Sequence, residues 1–218
     1  MDVGGSHVKV LATGESKRRA ADAGPDLTAA QMISAALELA DGWTWDVVSL
    51  GIPSPVHGGR VVSDPVNLGD GWVGVDYEAG FGKPTRVVND AAMQALGSYE
   101  GGRMLFLGLG TGLGSSLVAN GFVQPMELGH LPYRKATFED YLGEAGLQRR
   151  GKKRWRRDVA DVVAKLSAAM EPEYVVLGGG NAKLLQELPP NARLGSNDNA
   201  FVGGFRVWDP AAPARIAD

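Results

Sequence analysis

Two stretches of this chain carry one design. Residues 2–14, "DVGGSHVKVLATG", and residues 108–121, "GLGTGLGSSLVANG", each place a tight glycine turn before an apolar strand that ends on another glycine. A β-hairpin used once in each half suggests duplicated halves and two lobes. Around the hairpins, strands interleave with helices. The runs "HVKVLA" (7–12), "DVVSLGI" (46–52), "TRVVN" (85–89), "MLFLGL" (104–109), "SSLVA" (115–119) and "YVVLG" (174–178) are short, β-branched or apolar, and flanked by glycines, as sheet strands are. A helix is expected over 29–40: Thr28 and Gln31 form a capping box, Leu27 and Met32 a hydrophobic staple, and Gly42 follows the end. A second, over 152–170, puts Trp155, Val159, Val162, Val163 and Leu166 on one face, the spacing of a helix packed on a sheet. Alternating strands and helices define an α/β protein.

Composition narrows the chemistry. A chain of 218 residues is long enough to bury a real core without staples. The absence of cysteine removes disulfides, Cys-ligated zinc and thiol nucleophiles together, so any reaction must use oxygen and nitrogen groups, and it suits a reducing compartment. No apolar run approaches the roughly 20 residues of a membrane span, and no signal-peptide pattern opens the chain. We read the protein as cytoplasmic, with no membrane partner. A net charge of -3 argues against a general nucleic-acid binder, yet seven of the 22 basic residues fall within "RRGKKRWRR" (149–157). Such a run is either a solvated helix face or a path for a polyanion whose affinity falls with salt.

The glycine turns are the first candidate site. Glycines permit positive φ and let backbone N–H groups approach an anion with no Cβ in the way. Gly4, Gly5 and Ser6 form one such cradle; Gly110, Thr111, Gly112 and Gly114 form another. Neither is a Walker loop or a dinucleotide fingerprint, and either alone could be only a hairpin turn. Two of them on opposite halves, one led by Asp2 and one carrying Thr111, point to phosphate. The second candidate lies in "RVVNDAAMQ" (86–94), where an apolar strand runs into Asn89 and Asp90 and then becomes helical. The helix dipole should hold the Asp90 carboxylate ionised, ready to accept a proton from an alcohol, while Asn89 can hold a hydroxyl beside it. The same pair can also serve simply as a helix cap.

Six motifs in order now make the chain recognisable. "DVGGSHVK", "PVNLGDGWVGVD", "VVNDA", "GLGTGLGSS", "MELGH" and "LGGGNAK" resemble those of the ROK family of sugar kinases (repressors, open reading frames and kinases), and within it the polyphosphate glucokinase-like branch. The resemblance implies an actin-like (ribonuclease H-like duplicated) two-lobed fold, with an N-terminal lobe over 1–89, a C-terminal lobe over 90–218, a cleft between them, and a homodimer. It implies phosphoryl transfer from polyphosphate and/or ATP to the 6-hydroxyl of glucose or a similar hexose, with Asp90 as base. Asn67, Gly69, Asn89, Glu127, His130 and Glu139 would touch the sugar. Asp2, Gly4, Gly5, Ser6, Lys9, Gly110, Thr111, Gly112 and Gly114 would hold donor phosphates, Asp2 orienting the Mg²⁺ that accompanies them, and Gly178, Gly179 and Gly180 would pack near a nucleotide. Trp72 is assigned to packing, and His7 and His57 to structure or surface. Lys152, Lys153, Arg156 and Arg157, projecting from the helix, are candidates for a polyphosphate path. The alternatives are an ATP-dependent kinase of another hexose or an N-acetylhexosamine, and a catalytically idle sugar-binding protein; the family's repressors carry a DNA-binding segment before the first hairpin.

Two departures from the family pattern carry expectations. The cysteine-rich zinc motif that many members place after "ExGH" has no counterpart here, so no zinc is expected and His130 should be free for sugar. The resemblance also implies an apolar central strand before Asp2, where only Met1 stands. The natural start is therefore expected upstream; otherwise Asp2 would sit on a fraying terminus.

Overall fold

The computed structural model describes residues 1–217. The N-terminal half contains β1 (Asp2–Val3), β2 (His7–Val10), β3 (Arg19–Asp22), α1 (Ala29–Leu39), β4 (Val48–Ile52), the small hairpin β5 (Val56–His57) and β6 (Arg60–Val61), α2 (Tyr77–Phe81) and β7 (Thr85–Asn89), which leads into α3 (Asp90–Ser98). After it come β8 (Met104–Leu109), β9 (Leu113–Ala119), β10 (Phe122–Met126), the hairpin β11 (Pro132–Tyr133) and β12 (Ala136–Thr137), α4 (Phe138–Leu142), α5 (Glu144–Met170), β13 (Tyr174–Gly178), β14 (Ala192–Leu194), α6 (Asn199–Arg206) and β15 (Arg215–Ile216).

One topology is used twice. The first sheet runs β3-β2-β1-β4-β7, with β3, β2 and β1 antiparallel and β1, β4 and β7 parallel. The second runs β10-β9-β8-β13-β14 with the same senses in the same order, and β15 adds a strand parallel to β10. This is the duplicated α/β architecture expected from the paired glycine hairpins. The central strands differ in length, however: β8 has six residues and β1 has two.

Both faces of β8 are covered, which explains its continuous apolar sequence. Leu105, Leu107 and Leu109 pack with Trp155, Val159, Val162, Val163 and Leu166 of α5, whereas Met104 and Phe106 pack with Ala91, Ala92, Ala95 and Leu96 of α3. Each large side chain fully buried this way contributes roughly 1.5–3 kcal/mol. The Trp155 indole also donates to Leu142 O at 2.8 Å. In α1 the expected capping box is present, and Met32 is fully buried.

The helix expected over 152–170 is the second segment of a longer one. Gly151 (φ 72°, ψ 155°) breaks α5 after a first segment that begins at Glu144. The kink has an identifiable cause, since its backbone conformation is one that only glycine adopts readily. Helix α6 returns to the first half. Gly97 of α3 and Gly203 of α6 meet where any Cβ would strike the opposing backbone, so the two helices cross at direct contact. Ser49 Oγ donates to Gly204 O, and Arg206 Nη1 donates to Leu96 O at 2.7 Å, fixing α6 to β4 and to α3. No helix among the described residues is long and apolar enough to cross a membrane.

Candidate active site

The two glycine turns face one another. A Cβ built on Gly5 would lie 3.3 Å from Thr111 Oγ1 and 3.6 Å from Asn67 Cβ, so the first turn, the second turn and the 62–76 loop converge. The glycines are there for approach rather than for left-handed backbone. None of Gly4, Gly5, Gly110, Gly112 or Gly114 lies among the positive-φ residues, contrary to the expectation from sequence. Instead, a side chain on Gly112 would strike Glu139 Oε2, and one on Gly114 would lie 2.9 Å from Ala91 Cβ. A Cβ at Gly110 would meet open space, which leaves that side of the turn free for a ligand.

Asp90 is the first residue of α3, at the exit of β7. Its neighbour Asn89 is the N-cap: Oδ1 accepts Ala92 N–H at 3.0 Å and Nδ2 donates to Ser54 O at 3.2 Å, with the residue buried. Asn89 therefore spends its first hydrogen bonds inside the protein, and only its remaining N–H and lone pair could serve a sugar. With Asn89 as cap, the Asp90 side chain is not needed for that role. Its Oδ1 accepts from Ala91 N–H at 2.8 Å. Burial, and then the charge of Asp2, push the Asp90 carboxyl from 3.8 up to about 7; the Ala91 N–H pulls it down, Glu127 raises it, and its own N–H lowers it. This corrects the expectation that the helix dipole would dominate. A half-buried carboxyl among other acids is held near neutrality by desolvation and repulsion, against the pull of the helix N-terminus.

Asp2, in β1, is itself buried and accepts Lys9 Nζ at 3.1 Å, so two of the expected phosphate-side residues form one ion pair. Their strands are neighbours with Asp2 opposite Lys9, and Asp2 also pairs with Gly51 of β4. A Cβ at Gly51 would lie 3.5 Å from the Asp90 Cα, which places Asp90 beside Asp2. Ser6 and Gly4 complete the turn, with Gly4 N–H donating to His7 O at 2.9 Å. His7 itself faces outward beside Asp22, and His57 is exposed.

On the side of the second turn, Glu139 in the first turn of α4 accepts Leu113 N–H at 2.9 Å, bracing that turn. Glu127 precedes and His130 ends a single 3-10 turn, Leu128–His130, and both are solvent-accessible. Partial burial raises the Glu127 carboxyl above its ordinary value; His130 lowers it and Glu139 raises it, so the three side chains form one cluster. Asn67 is exposed at the rim. Gly69 is held by Leu27 O (3.1 Å), leaves no room for a side chain against Asp26, and accepts the indole N–H of Trp72 at 2.7 Å. Trp72 is fully buried, as its assignment to packing requires.

Two residues that sequence reasoning did not single out secure the second turn from behind. Glu144 N–H, at the start of α5, donates to Gly110 O (3.0 Å) and Thr111 O (3.1 Å). Asn181 donates through Nδ2 to Glu144 Oε2 (2.7 Å) and Gly110 O (3.3 Å), and through its backbone to Leu109 O (2.9 Å). Asn181 directly follows Gly178, Gly179 and Gly180, so that glycine loop lies against the second turn. Gly179 has φ 81° and sits over the Leu109 backbone, with no space for a side chain.

The basic run divides. Arg149 donates to Asp140 O, Arg150 pairs with the buried Asp158, and Arg156 donates to Leu184 O and Gln186 Oε1 at 2.6 Å, so Arg156 is tied down rather than projecting outward. Lys152, Lys153, Arg154 and Arg157 are exposed and have no ion-pair partner among the described residues. No group of three or more His, Cys, Asp or Glu side chains suited to a metal ion occurs among the described residues. A cavity of about 350 Å³ beside Met1 is lined by none of these candidate site residues.

No family model matches the chain. A polyphosphate glucokinase of Mycobacterium tuberculosis is 27% identical over 207 residues, spanning 83% of this chain and 74% of the relative. Among solved structures, an inorganic polyphosphate/ATP-glucomannokinase from Arthrobacter sp. strain KM superposes with a TM-score of 0.78 at 23% identity, covering 93% of this chain and 94% of that one. A ROK family glucokinase from Streptomyces griseus, solved with glucose and AMPPNP, gives 0.72 at 18% identity, covering 93% and 96%.

Proposed function

Starting from a ROK-type, polyphosphate glucokinase-like chain with the fold of those kinases, we propose that it transfers a phosphoryl group from polyphosphate and/or ATP to the 6-hydroxyl of glucose. One observation carries the reading: an acid held near neutral pKa stands at a helix start beside the place where two anion-approachable turns from opposite halves converge. A general base is most effective when its pKa lies near the working pH. In its ionised form Asp90 takes the proton of the sugar hydroxyl as the oxygen bonds to phosphorus and the donor's bridging bond breaks. Glu127, His130, Glu139 and Asn67 supply mixed donors and acceptors for the other hydroxyls, the remaining N–H of Asn89 adds another, and Gly69 shapes the loop above them.

The turns at Gly4, Gly5 and Ser6 and at Gly110, Thr111, Gly112 and Gly114 hold the phosphates, with Lys9 adding charge. Mg²⁺ is commonly bound by one or two carboxylates together with substrate phosphates. Asp2, with one oxygen on Lys9 and one free of it, fits that pattern, and the ion would neutralise charge on the moving group. Gly178, Gly179 and Gly180, abutting the second turn, favour a nucleotide as one donor, whereas Lys152, Lys153, Arg154 and Arg157 favour a polyanion. The test is glucose-6-phosphate formation with each donor, using Asp90→Asn as control. Turnover with at least one donor, abolished in the variant, is expected; no turnover with glucose under either donor refutes the reading.

A further inference from the structure

Asp158 is buried in the second segment of α5 and belongs to neither glycine turn nor to the Glu127–His130–Glu139 cluster. Two arginines from different elements meet on it. Arg150, the last residue before the Gly151 break, reaches Asp158 Oδ2 through Nε and Oδ1 through Nη2, the second contact at 3.3 Å. Arg134, in the turn between β11 and β12, places Nη1 3.1 Å from Oδ1. Arg150 and Asp158 are eight residues apart, a span that rises about 12 Å in an unbroken helix. With Gly151 out of helical conformation, Arg150 reaches the carboxylate with two nitrogens.

Both guanidinium groups are also held against aromatic rings. Arg134 lies 4.8 Å from the centre of the Tyr133 ring and Arg150 4.8 Å from that of Tyr141, and the two rings meet edge to face at 4.9 Å. The Tyr133 hydroxyl donates to Asp161 Oδ2 at 2.6 Å, and Arg134 Nη2 stands 3.7 Å from the same oxygen. Arg134 has φ 56°, a left-handed backbone that a non-glycine residue keeps where its surroundings fix it.

The two arginines hold different things. The β11–β12 hairpin starts at Pro132, just after His130, and ends at Thr137, the N-cap of the helix whose first turn carries Glu139. Phe138 N–H donates to Leu131 O at 3.0 Å and closes the excursion, so Arg134 at its tip sets where His130 and Glu139 stand. Arg150 ends the segment whose first residue, Glu144, donates its N–H to Gly110 O and Thr111 O, so it sets where the second glycine turn stands.

We propose that Asp158 is a positioning residue that locks the hydroxyl-binding cluster and the second glycine turn into one frame, Arg134 serving the first and Arg150 the second. The inference rests on the reading of those groups as sugar and phosphate sites, and adds the buried charge that keeps them in register. Asp158 has no part in the chemistry, because its oxygens are taken by the two guanidinium groups.

Removing one partner of a buried ion pair strands the other and destabilises strongly, so Asp158→Asn is read beside two milder variants. Arg134→Met and Arg150→Met each leave Asp158 its other arginine. Calorimetry with glucose, and separately with inorganic tripolyphosphate and Mg²⁺, the phosphate chain common to both donors, measures the two sites apart. Arg134→Met should weaken glucose roughly fivefold and tripolyphosphate less than about twofold, an effect of the size exerted by residues along a packed network. It should also speed hydrogen exchange of the Leu113 amide, which Glu139 holds. Arg150→Met should reverse the two ligand effects and speed exchange of the Glu144 amide, and Asp158→Asn should weaken both ligands. Equal losses of both ligands in the two arginine variants, the mark of general destabilisation, or unchanged affinities in both, would overturn this proposal and leave the proposed function standing. An unmodified chain that binds neither glucose nor tripolyphosphate would overturn the proposed function, and this inference with it.

Discussion

Asp90 is pulled in two directions. A helix N-terminus favours its carboxylate by about 0.3–1 kcal/mol, up to ~2 in partly buried geometries, yet burial and the nearby Asp2 and Glu127 carry the pKa up to about 7. Activity should therefore rise with pH as the base ionises and level off above about pH 7; a kcat/KM profile flat from pH 5.5 to 8.5 would contradict the assignment. Asp90→Asn should lower kcat by about 10²–10⁴-fold, the usual worth of a positioned base, while calorimetry shows glucose still binding. The same variant should be the more stable protein. A carboxyl whose folded pKa exceeds its unfolded value costs stability once pH passes the unfolded value, and the cost is complete above the folded one. The Tm gain of Asp90→Asn should thus grow from about pH 4 to pH 7 and stay constant beyond. Much of this site was legible: Asp90, Glu127, His130 and both turns stand in motifs of recognisable chemistry. The inward commitments of Asn89 to Ser54 and of Glu139 to Leu113 were not, because their partners are set by tertiary contact rather than spacing. The turn glycines were found by sequence for an incomplete reason, since what they make room for is Thr111 across the halves at Gly5, and Glu139 and Ala91 at Gly112 and Gly114.

At the level of elements, α5 shows how one basic run serves two purposes. Before and around the Gly151 break, Arg149 and Arg150 are consumed by Asp140 and Asp158; beyond it, Trp155 turns inward and the exposed cations turn outward. Replacing Lys152, Lys153, Arg154 and Arg157 by glutamine should raise the KM for polyphosphate by roughly tenfold or more, the scale on which a charged surface concentrates a polyanion. The KM for ATP should change less than twofold, and the difference should shrink as salt is added. Parallel losses with both donors would remove the polyphosphate path. Arg156→Ala should instead lower Tm, since its guanidinium ties α5 to Leu184 O and Gln186. The elements found from sequence were those with a buried apolar stripe: β2, β4, β7, β8, β9, β13, α1, α3 and the second segment of α5. β3 escaped because "RAAD" is mostly exposed and shows no alternation, and α6 because "NAFVGGFR" places two glycines in mid-helix, where propensity opposes them. Those glycines make sense only against Met93 of α3 and Ser49 of β4.

For the whole molecule, duplication of one topology brings the glycine turns of the two halves together. The convergence of Gly5, Thr111 and Asn67 is small and polar, and the loop that carries Asn67 leaves Val66 and Val73 91% and 52% exposed. The α3–α6 pair, by contrast, is fastened to both sheets: Ser49 and Arg86 hold α6 from the first, and Ala91, Ala95 and Leu96 of α3 pack on Met104, Phe106 and Val118 of the second. If the chain divides into lobes near Asn89 and Asp90, as we propose, a helix pair fastened to both sheets would let them close on a sugar and exclude water from the donor. Glucose at about 100 times its Kd should stabilise the fold by about 2.7 kcal/mol through mass action alone, so a Tm shift reports binding and not closure. Closure has its own signature. Small-angle scattering should show a smaller radius of gyration with saturating glucose, and donor hydrolysis without sugar should stay far slower than transfer. Because Gly203→Ala would wedge α3 from α6, that variant should lose the scattering change and raise the ratio of hydrolysis to transfer, even at temperatures where it remains folded. A radius of gyration indifferent to glucose in the unmodified protein would mean that the lobes are already closed and that the α3–α6 layer is scaffold rather than hinge.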